Sequence, residues 1–244
     1  MRCALAAVGF KNEDERFNKK VIIDTMEKYA DKADIVVFGE AFLQGFYGAN
    51  FDPEHDEQIA VSTDDIILKE ISDEAERYGI AVSFGFIEKC EEKFFSSQIT
   101  IDKNGKIIDL YRRVSEGWKV PNTNERYCEG KDFHTFSFMD KNIVVGLCGD
   151  LWFDENAEAI NQLNADVVFW PVYTDYNYDK WNKEIKIEYA EQAGKIKTKV
   201  LYVNSYCLDK DGYEIARGGA AVFMNGKILE EIPSGEEGIL TVEI

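Results

Sequence analysis

The stretch Asn142-Ile-Val-Val-Gly-Leu-Cys-Gly-Asp-Leu-Trp-Phe153 places a run of apolar, β-branched residues directly before a thiol. The run stops at Cys148, and a helical pattern begins after Gly149 and Asp150, which predicts a buried strand, a tight elbow and a helix N-terminus. A helix N-terminus favours a thiolate, and Gly149 lets a carbonyl group approach the backbone, where its N–H can hold an oxyanion. A buried structural thiol at the end of a core strand also explains this stretch.

Length, composition and charge limit the class of protein to which this chain can belong. The chain has 244 residues, of which 45% are hydrophobic and 13% aromatic, and this predicts one folded domain over 1–244 with a full core. The net charge of -18 argues against nucleic acid and against an anionic membrane surface as partners, since both attract clustered Lys and Arg. The charge therefore favours solubility and carries no information about the fold.

The cysteines and histidines limit the possible chemistry. The five cysteines are widely and irregularly spaced, without a CxxC pair or a Cys/His cluster, so we expect reduced thiols, no metal site and no cofactor. The first residues do not resemble a signal peptide, and no apolar run is long enough to span a membrane, so we predict a cytoplasmic protein. Only His55 and His134 are available for a Cys–His dyad, which makes a cysteine protease-like site a weak alternative.

Helical and strand patterns alternate in both halves of the chain. We predict helices over 12–32, 63–77, 154–163 and 180–197, with short strands between them and irregular structure over 49–62 and 114–133. Thr63 is the predicted N-cap of the second helix and Gly79 its C-terminal stop. Asn104-Gly105 and Asn225-Gly226 are typical of type I′ hairpin turns. Such alternation indicates an α/β fold with parallel central strands and antiparallel edges.

Three predicted strands end on a reactive side chain. Glu40, Arg113 and Cys148 each follow an apolar strand pattern and precede a polar or glycine-rich loop. Ligands bind outside the carboxyl ends of strands in α/β sheets, so these groups could converge as base, cation and nucleophile. Taken singly, Glu40 could instead cap a helix, and Arg113 could be a surface charge on an edge strand.

The motifs around these residues resemble the nitrilase superfamily of carbon–nitrogen hydrolases. Phe38-Gly39-Glu40-Ala41-Phe42 is similar to the family's Pro-Glu-x-Phe motif, with Gly39 in the place of Pro, and Gly146-Leu147-Cys148-Gly149-Asp150 is similar to its nucleophile motif. Glu125-Arg126-Tyr127-Cys128-Glu129-Gly130 resembles the stretch that carries a second glutamate. The resemblance covers nearly the whole chain and implies a four-layer αββα sandwich of the nitrilase type.

One position departs from the family pattern. The family's lysine follows Tyr-Arg, whereas this chain reads Tyr111-Arg112-Arg113. Arginine supplies charge and a fork of N–H donors but releases no proton at ordinary pH, so we interpret Arg113 as an electrostatic substitute. Lys119, six residues later, could reach the site from the loop, although a solvated loop lysine is the simpler interpretation.

The resemblance implies a mechanism in which Cys148 attacks a C–N carbon, Glu40 is the base, and Arg113 with the Gly149 N–H holds the oxyanion. Glu125, Trp152 and Tyr173 are expected to position the substrate beside Gly149. The implied substrate is a small amide, ω-amide or N-carbamoyl compound, hydrolysed with water through a thioester, and the implied assembly is a homodimer or a higher homo-oligomer. The alternative is a catalytically impaired or silent protein that keeps the fold as a binding or assembly module.

Overall fold

A computed structural model describes residues 1–210, 212 and 215–244. Its strands are β1 (Arg2–Ala7), β2 (Gly9–Phe10), β3 (Ile35–Phe38), β4 (Ala81–Cys90), β5 (Lys93–Ile101), β6 (Ile107–Arg112), β7 (Thr135–Phe138), β8 (Lys141–Val145), β9 (Val167–Val172), β10 (Lys199–Asn204), β11 (Tyr206–Cys207), β12 (Ala220–Met224), β13 (Lys227–Ile232) and β14 (Gly238–Glu243). Its helices are α1 (Glu15–Tyr29), α2 (Pro53–Ile59), α3 (Ile66–Tyr78), a 3₁₀ turn (Cys148–Trp152), α4 (Asp154–Gln162), α5 (Tyr178–Lys180), a π turn (Trp181–Ile185) and α6 (Lys186–Ala193).

Most of the strands form two sheets of the same design. The first has six strands in the order β14-β1-β3-β4-β5-β6, and the second has six in the order β13-β12-β10-β9-β8-β7. The inner pairs β1–β3, β3–β4, β8–β9 and β9–β10 are parallel, and the outer pairs are antiparallel. The predicted α/β fold with parallel centres and antiparallel edges is therefore confirmed.

Alternation along β1 shows how the layers stack. Cys3 and Leu5 pack between the two sheets together with Val145 and Phe169 of the second sheet. The neighbouring alanines of β1 face the opposite way, toward α1 and α3. A third cluster joins the far side of the second sheet to α4 and α6. Because successive strand side chains point to opposite faces, each sheet buries both faces, and the result is the predicted four-layer αββα sandwich.

The observed helices correct three predictions, two of them through local capping chemistry. Asp65, and not Thr63, caps α3 by accepting from the Ile67 N–H, and Gly79 ends the helix in the left-handed conformation as predicted. The stretch 49–62 is not wholly irregular, because Asp52 caps α2 and Pro53 occupies its first turn. The predicted helix over 180–197 begins at Tyr178, contains a π turn and ends at Ala193.

The hairpin turns differ in how well the sequence reports them. Asn225 and Gly226 have φ of 52° and 72°, which fits the predicted type I′ turn. Asn104-Gly105 lies in the predicted hairpin, between β5 and β6, but the predicted type I′ turn is wrong: only Gly105 is left-handed, and its N–H donates to Asp102 O at 3.0 Å. The single strand predicted before Cys148 is preceded by another, β7, joined to β8 through the left-handed pair Met139-Asp140. Among the described residues, no helix has the length and apolarity to cross a membrane.

Candidate active site

Glu40 follows directly on β3, at the carboxyl end of the first sheet. Its backbone N–H donates to Val172 O of the second sheet at 3.2 Å. A Cβ on Gly39 would collide with Ser205 Oγ and Val172 O, so only glycine fits where the family motif has proline. A Cβ on Gly85 would likewise collide with the turn that carries Glu40. Close backbone contact between strands of both sheets thus fixes the position of this carboxylate.

The Glu40 carboxylate is buried, with 1% of the residue exposed. Its Oε1 atom accepts from Arg113 Nη1 and from Ser96 Oγ, both at 2.9 Å. Its Oε2 atom is buried and has no hydrogen-bond partner among the residues that the structure describes. A buried carboxylate oxygen without a donor is costly, and it is the atom of this group that is free to accept a proton.

Arg113 follows β6, the edge strand of the first sheet, but it is not a surface charge. Only 4% of the residue is exposed. Besides its ion pair with Glu40, it donates from Nε to Ser115 Oγ at 3.0 Å and from Nη2 to Glu116 O at 3.3 Å. A Cβ on Gly149 would collide with Nη2, so the guanidinium lies against the backbone beside Cys148. The structure therefore brings the predicted cation to the predicted nucleophile.

Cys148 occupies a strained elbow. Strand β8 ends at Val145, three residues earlier than predicted, and Cys148 has a φ of 42°, which side-chain-bearing residues rarely adopt. Trp170 Nε1 donates to the Cys148 carbonyl at 2.8 Å, and the thiol lies 3.5 Å from Tyr173 O. Such a conformation persists only where the surroundings enforce it, and strain of this kind clusters at functional sites. The half-buried thiol is thereby presented at the end of the second sheet.

Asp150 holds the elbow and the Arg113 loop together. Its buried carboxylate accepts from the Leu147 N–H at 2.8 Å and from the Tyr111 hydroxyl at 2.6 Å through Oδ2. Through Oδ1 it accepts from the Ser115 N–H at 2.7 Å and the Val114 N–H at 3.2 Å. The carboxylate thus caps the 3₁₀ turn at Leu147, and it also joins the first sheet to the second.

The charges in the site act on the protonation of Cys148. Burial and, after it, the Glu40 carboxylate raise the pKa of the Cys148 thiol to about 12, although the Arg113 guanidinium opposes both. Burial lowers the pKa of Arg113, but the surrounding charges of Glu40, Cys148 and Asp150 outweigh burial and raise it overall. The cation is therefore permanently charged, while the thiol is protonated at neutral pH and needs a base before it can attack.

Two predicted residues of the long loop do not join this cluster. Glu125 is exposed, with no described side-chain contact to Glu40, Arg113 or Cys148, so the expectation that it positions substrate lacks geometric support. Lys119 Nζ donates to Tyr127 O at 2.8 Å and pairs with Glu129 at 2.7 Å. It is neither a free solvated lysine nor a neighbour of the cysteine.

The aromatic residues near the cysteine divide into two groups. Tyr173 is buried and stacks on Phe46 with ring centroids 4.2 Å apart. Trp152 is 39% exposed and packs edge-on against Tyr189, whose raised pKa reflects burial and, in part, the nearby Cys148. Trp152 is thus partly exposed four residues after Cys148, whereas the carbonyl of Tyr173 contacts the Cys148 thiol.

Neither histidine is paired with Cys148. His134 Nε2 lies 2.7 Å from Asp109 Oδ1, and His55 Nδ1 lies 2.8 Å from Asp56 Oδ1. A Cys–His dyad is therefore wrong for this chain. Within the described part of the chain, no group of three or more His, Cys, Asp or Glu side chains is arranged to hold a metal ion.

Sequence reasoning missed Ser96, Ser115 and Tyr111 as partners of the site. Each reaches it through tertiary contacts, and a serine or tyrosine in a strand pattern carries no local signal for this. A cavity of about 990 Å³ lies elsewhere, lined by residues that include Cys90, Arg112 and His134. The chemistry of the side chains, and not cavity size, identifies the elbow as the candidate site.

Comparisons with known proteins agree with this geometry. The family model for carbon-nitrogen hydrolase matches residues 5–244. An (R)-stereoselective amidase from Pseudomonas sp is 24% identical over 231 residues, covering 95% of this chain and 80% of that protein. An N-carbamoylputrescine amidase from Oryza sativa subsp. japonica is 29% identical over 172 residues, covering 66% of this chain and 55% of that protein.

The fold has a solved counterpart. The structure of an amidase from Nesterenkonia sp. AN1, which carries acrylamide added at its active-site cysteine, covers 100% of this chain and 93% of its own, with a TM-score of 0.78 and 20% sequence identity. With the family model matching nearly the full length, the chain belongs to the carbon–nitrogen hydrolase family of the nitrilase superfamily, and it is an amidase-like carbon–nitrogen hydrolase.

Proposed function

We propose that this protein hydrolyses the C–N bond of a small amide or N-carbamoyl compound through a thioester on Cys148. The observation that carries the proposal is the division of labour on Glu40: Oε1 is held by Arg113 and Ser96, while Oε2 is buried without a donor in the part of the chain that the structure describes. A carboxylate held in this way is oriented and still able to take a proton. The adjacent thiol, with a pKa of about 12, is the group that requires a base.

In the first step, Glu40 removes the thiol proton while the sulfur forms a bond to the carbonyl carbon. Burial and the Glu40 charge keep the thiol protonated at neutral pH, so its attack needs a base. Proton transfer to Glu40 during the attack meets this need. Negative charge then moves to the former carbonyl oxygen.

The oxyanion needs donors that are already in place. The Arg113 guanidinium lies against the Gly149 backbone, and its charge does not depend on pH in the working range. Together with the Gly149 N–H it would stabilise the tetrahedral intermediate electrostatically. Arg113 does not transfer a proton in this scheme, which assigns all proton transfer to Glu40.

Collapse of the intermediate breaks the C–N bond and leaves a thioester. The leaving nitrogen takes the proton held by Glu40 and departs as ammonia or an amine. Glu40 then removes a proton from water, whose oxygen attacks the thioester carbon, and the Cys148 sulfur leaves and regains that proton. The products are the amine and the acid, and the site returns to its starting protonation state.

We propose a substrate class from the names of the relatives. Their names include an (R)-stereoselective amidase and N-carbamoylputrescine amidases, all of which cleave amide or ureido C–N bonds by name. We propose small amides and N-carbamoyl compounds for this chain, bound between Tyr173 and Trp152. A cytoplasmic location and a homodimer or higher homo-oligomer stay predictions, and light scattering after size-exclusion chromatography tests the second.

Ammonia release from a panel of acetamide, propionamide, butyramide and N-carbamoyl amino acids tests the activity. We expect release by the native protein, none by Cys148→Ala, and an acyl adduct on Cys148 by mass spectrometry after rapid acid quench. Cys90→Ala is the matched control, since that thiol lies outside the site. Release that survives Cys148→Ala would overturn the mechanism. A folded protein with no turnover and no adduct would support the alternative of a silent binding module.

A further inference from the structure

The space around Arg113 is shaped for a planar fork of donors. Three separate nitrogen atoms of the guanidinium each meet a different acceptor: Nη1 meets Glu40 Oε1 at 2.9 Å, Nε meets Ser115 Oγ at 3.0 Å, and Nη2 meets Glu116 O at 3.3 Å. Gly149 leaves room for Nη2, because a Cβ there would collide with it. The acceptors and the missing side chain together make a cradle for this side chain.

Ser115 is the member of the cradle that connects it to the nucleophile. Its Oγ accepts from Arg113 Nε, and its own N–H donates to Asp150 Oδ1 at 2.7 Å. Asp150 in turn accepts from the Leu147 N–H, one residue before Cys148. Ser115 is buried, with 5% of the residue exposed, so its hydroxyl has no bulk water to bond instead. Arg113 and Cys148 are therefore held in register through one short chain of hydrogen bonds.

A lysine would not satisfy the same cradle. Its ammonium is a single point charge on a flexible stem, whereas the acceptors here are distributed around a rigid plane. A lysine nitrogen that paired with Glu40 would leave Ser115 Oγ and Glu116 O without the donors that Arg113 provides. Buried acceptors that lose their donors cost stability and allow the charge to move away from the sulfur.

We infer that Ser115 is a positioning residue that orients Arg113 toward Cys148, and that this site is built for arginine, so that Arg113→Lys lowers activity although lysine is the residue the family pattern leads one to expect. The inference rests on the proposed function for its kinetic part only. The guanidinium lowers the pKa of the Cys148 thiol, so its orientation also affects the reaction of that thiol with iodoacetamide, which needs no turnover.

The test compares Ser115→Ala, Ser115→Thr and Arg113→Lys with the native protein, using the amide that turns over fastest among acetamide, propionamide and butyramide. We expect Ser115→Ala to lower kcat about tenfold or more with KM changed less than about threefold, since a lost orientation of charge acts on the transition state. Ser115→Thr keeps the hydroxyl and is expected to restore most of kcat. Arg113→Lys is expected to fall at least about tenfold below the native protein.

Iodoacetamide labelling of Cys148 across pH 7–10 supplies the second measurement. With the guanidinium less well oriented, the thiol ionises less readily, so Ser115→Ala should be alkylated several-fold more slowly at each pH. Ser83→Ala is the matched control, because Ser83 is also buried and hydrogen-bonded in the first sheet but does not contact Arg113. It is expected to melt at a lower temperature with unchanged kcat and labelling.

The outcomes separate the two proposals. Folded Ser115→Ala with native kcat and native labelling, or Arg113→Lys as active as the native protein, would overturn this inference while the Cys148-dependent hydrolysis stands. A native protein that hydrolyses no amide would overturn the proposed function, and the labelling profiles would still decide whether Ser115 orients Arg113.

Discussion

The elbow at 146–150 and the long loop at 114–133 both carry motifs of the family, but the structure uses them differently. At the elbow, Asp150 satisfies the Leu147 N–H, and Trp170 satisfies the Cys148 carbonyl. The loop shares these contacts only where it begins, at Val114 and Ser115. In this molecule the candidate reactive groups lie where one sheet is hydrogen-bonded to the other. In the rest of the loop, similarity to a family motif does not by itself place a residue in the site.

The largest effect is expected for Glu40→Gln. Like the elbow, Glu40 lies where the two sheets are hydrogen-bonded to each other. Loss of the base should lower kcat by about 10³-fold. Labelling of Cys148 should change in the opposite direction: the Glu40 charge raises the pKa of the thiol, so its removal lowers that pKa and speeds reaction with iodoacetamide at pH 8–9. Rates of ammonia release and of alkylation on the same preparation check both. Native rates of both alkylation and turnover would show that the carboxylate acts on the sulfur neither as a base nor through its charge.

Asp150→Asn tests the connection between the two regions. The amide group cannot accept all four hydrogen bonds, and its NH₂ opposes either the Leu147 N–H or the backbone of the loop. We expect a loss of about 2–4 kcal/mol in the free energy of unfolding, measured in urea, together with reduced kcat. Tyr111→Phe removes only one of the four bonds and is expected to cost about 1–2 kcal/mol. Equal losses of stability in the two variants would contradict the role of Asp150 in joining the elbow to the loop.

Lys119→Met addresses the middle of the loop. The Lys119 and Glu129 side chains are 22% and 23% exposed, so their ion pair is partly screened, and we expect a loss of about 1 kcal/mol in the free energy of unfolding. Since Lys119 is held by Glu129 and Tyr127, kcat should stay within about threefold of the native value. A fall in kcat of tenfold or more at unchanged stability would show that Lys119 contributes to catalysis as a cation.

The smallest effect is expected for Glu125→Gln. The side chain is exposed, and exposed substitutions usually change stability by less than about 0.5 kcal/mol. We expect kcat, KM and the unfolding midpoint to match those of the native protein, measured beside Glu40→Gln as the positive control. A kcat reduced by more than about tenfold would mean that the loop moves when substrate binds and that the motif-based expectation for Glu125 is right.

The sequence was most informative about the ends of the strands, because the direction of a strand and its packing in the sheet together fix where its last residue lies. Strand patterns that stop at Glu40 and Cys148 identify two strand ends, and parallel central strands bring such ends to one edge of the fold. In the loop the same kind of motif comparison selected Glu125, which is exposed and stays an untested prediction. There Tyr127 turns inward to donate to Asp56 Oδ2 at 2.6 Å and to pair beside Phe94, which leaves Glu125 facing outward. Asp56 lies 71 residues away in the chain, so no local pattern reports this contact.

By itself the sequence determined the α/β fold class, because alternating helix and strand patterns are local in the chain, and its motifs identified the family and through it the αββα layering. The roles of Glu40, Arg113 and Cys148 as base, cation and nucleophile stay predictions. Tertiary structure alone decided that Arg113 points inward, that Ser115 holds its Nε, and that Asp150 joins one sheet to the other. Arg113 and Ser115 are only two residues apart, but the direction of Arg113 depends on Glu40, 73 residues away, and Asp150 reaches Tyr111 over 39 residues. A buried polar group must find a partner, but which partner it finds is fixed only when both sheets have packed.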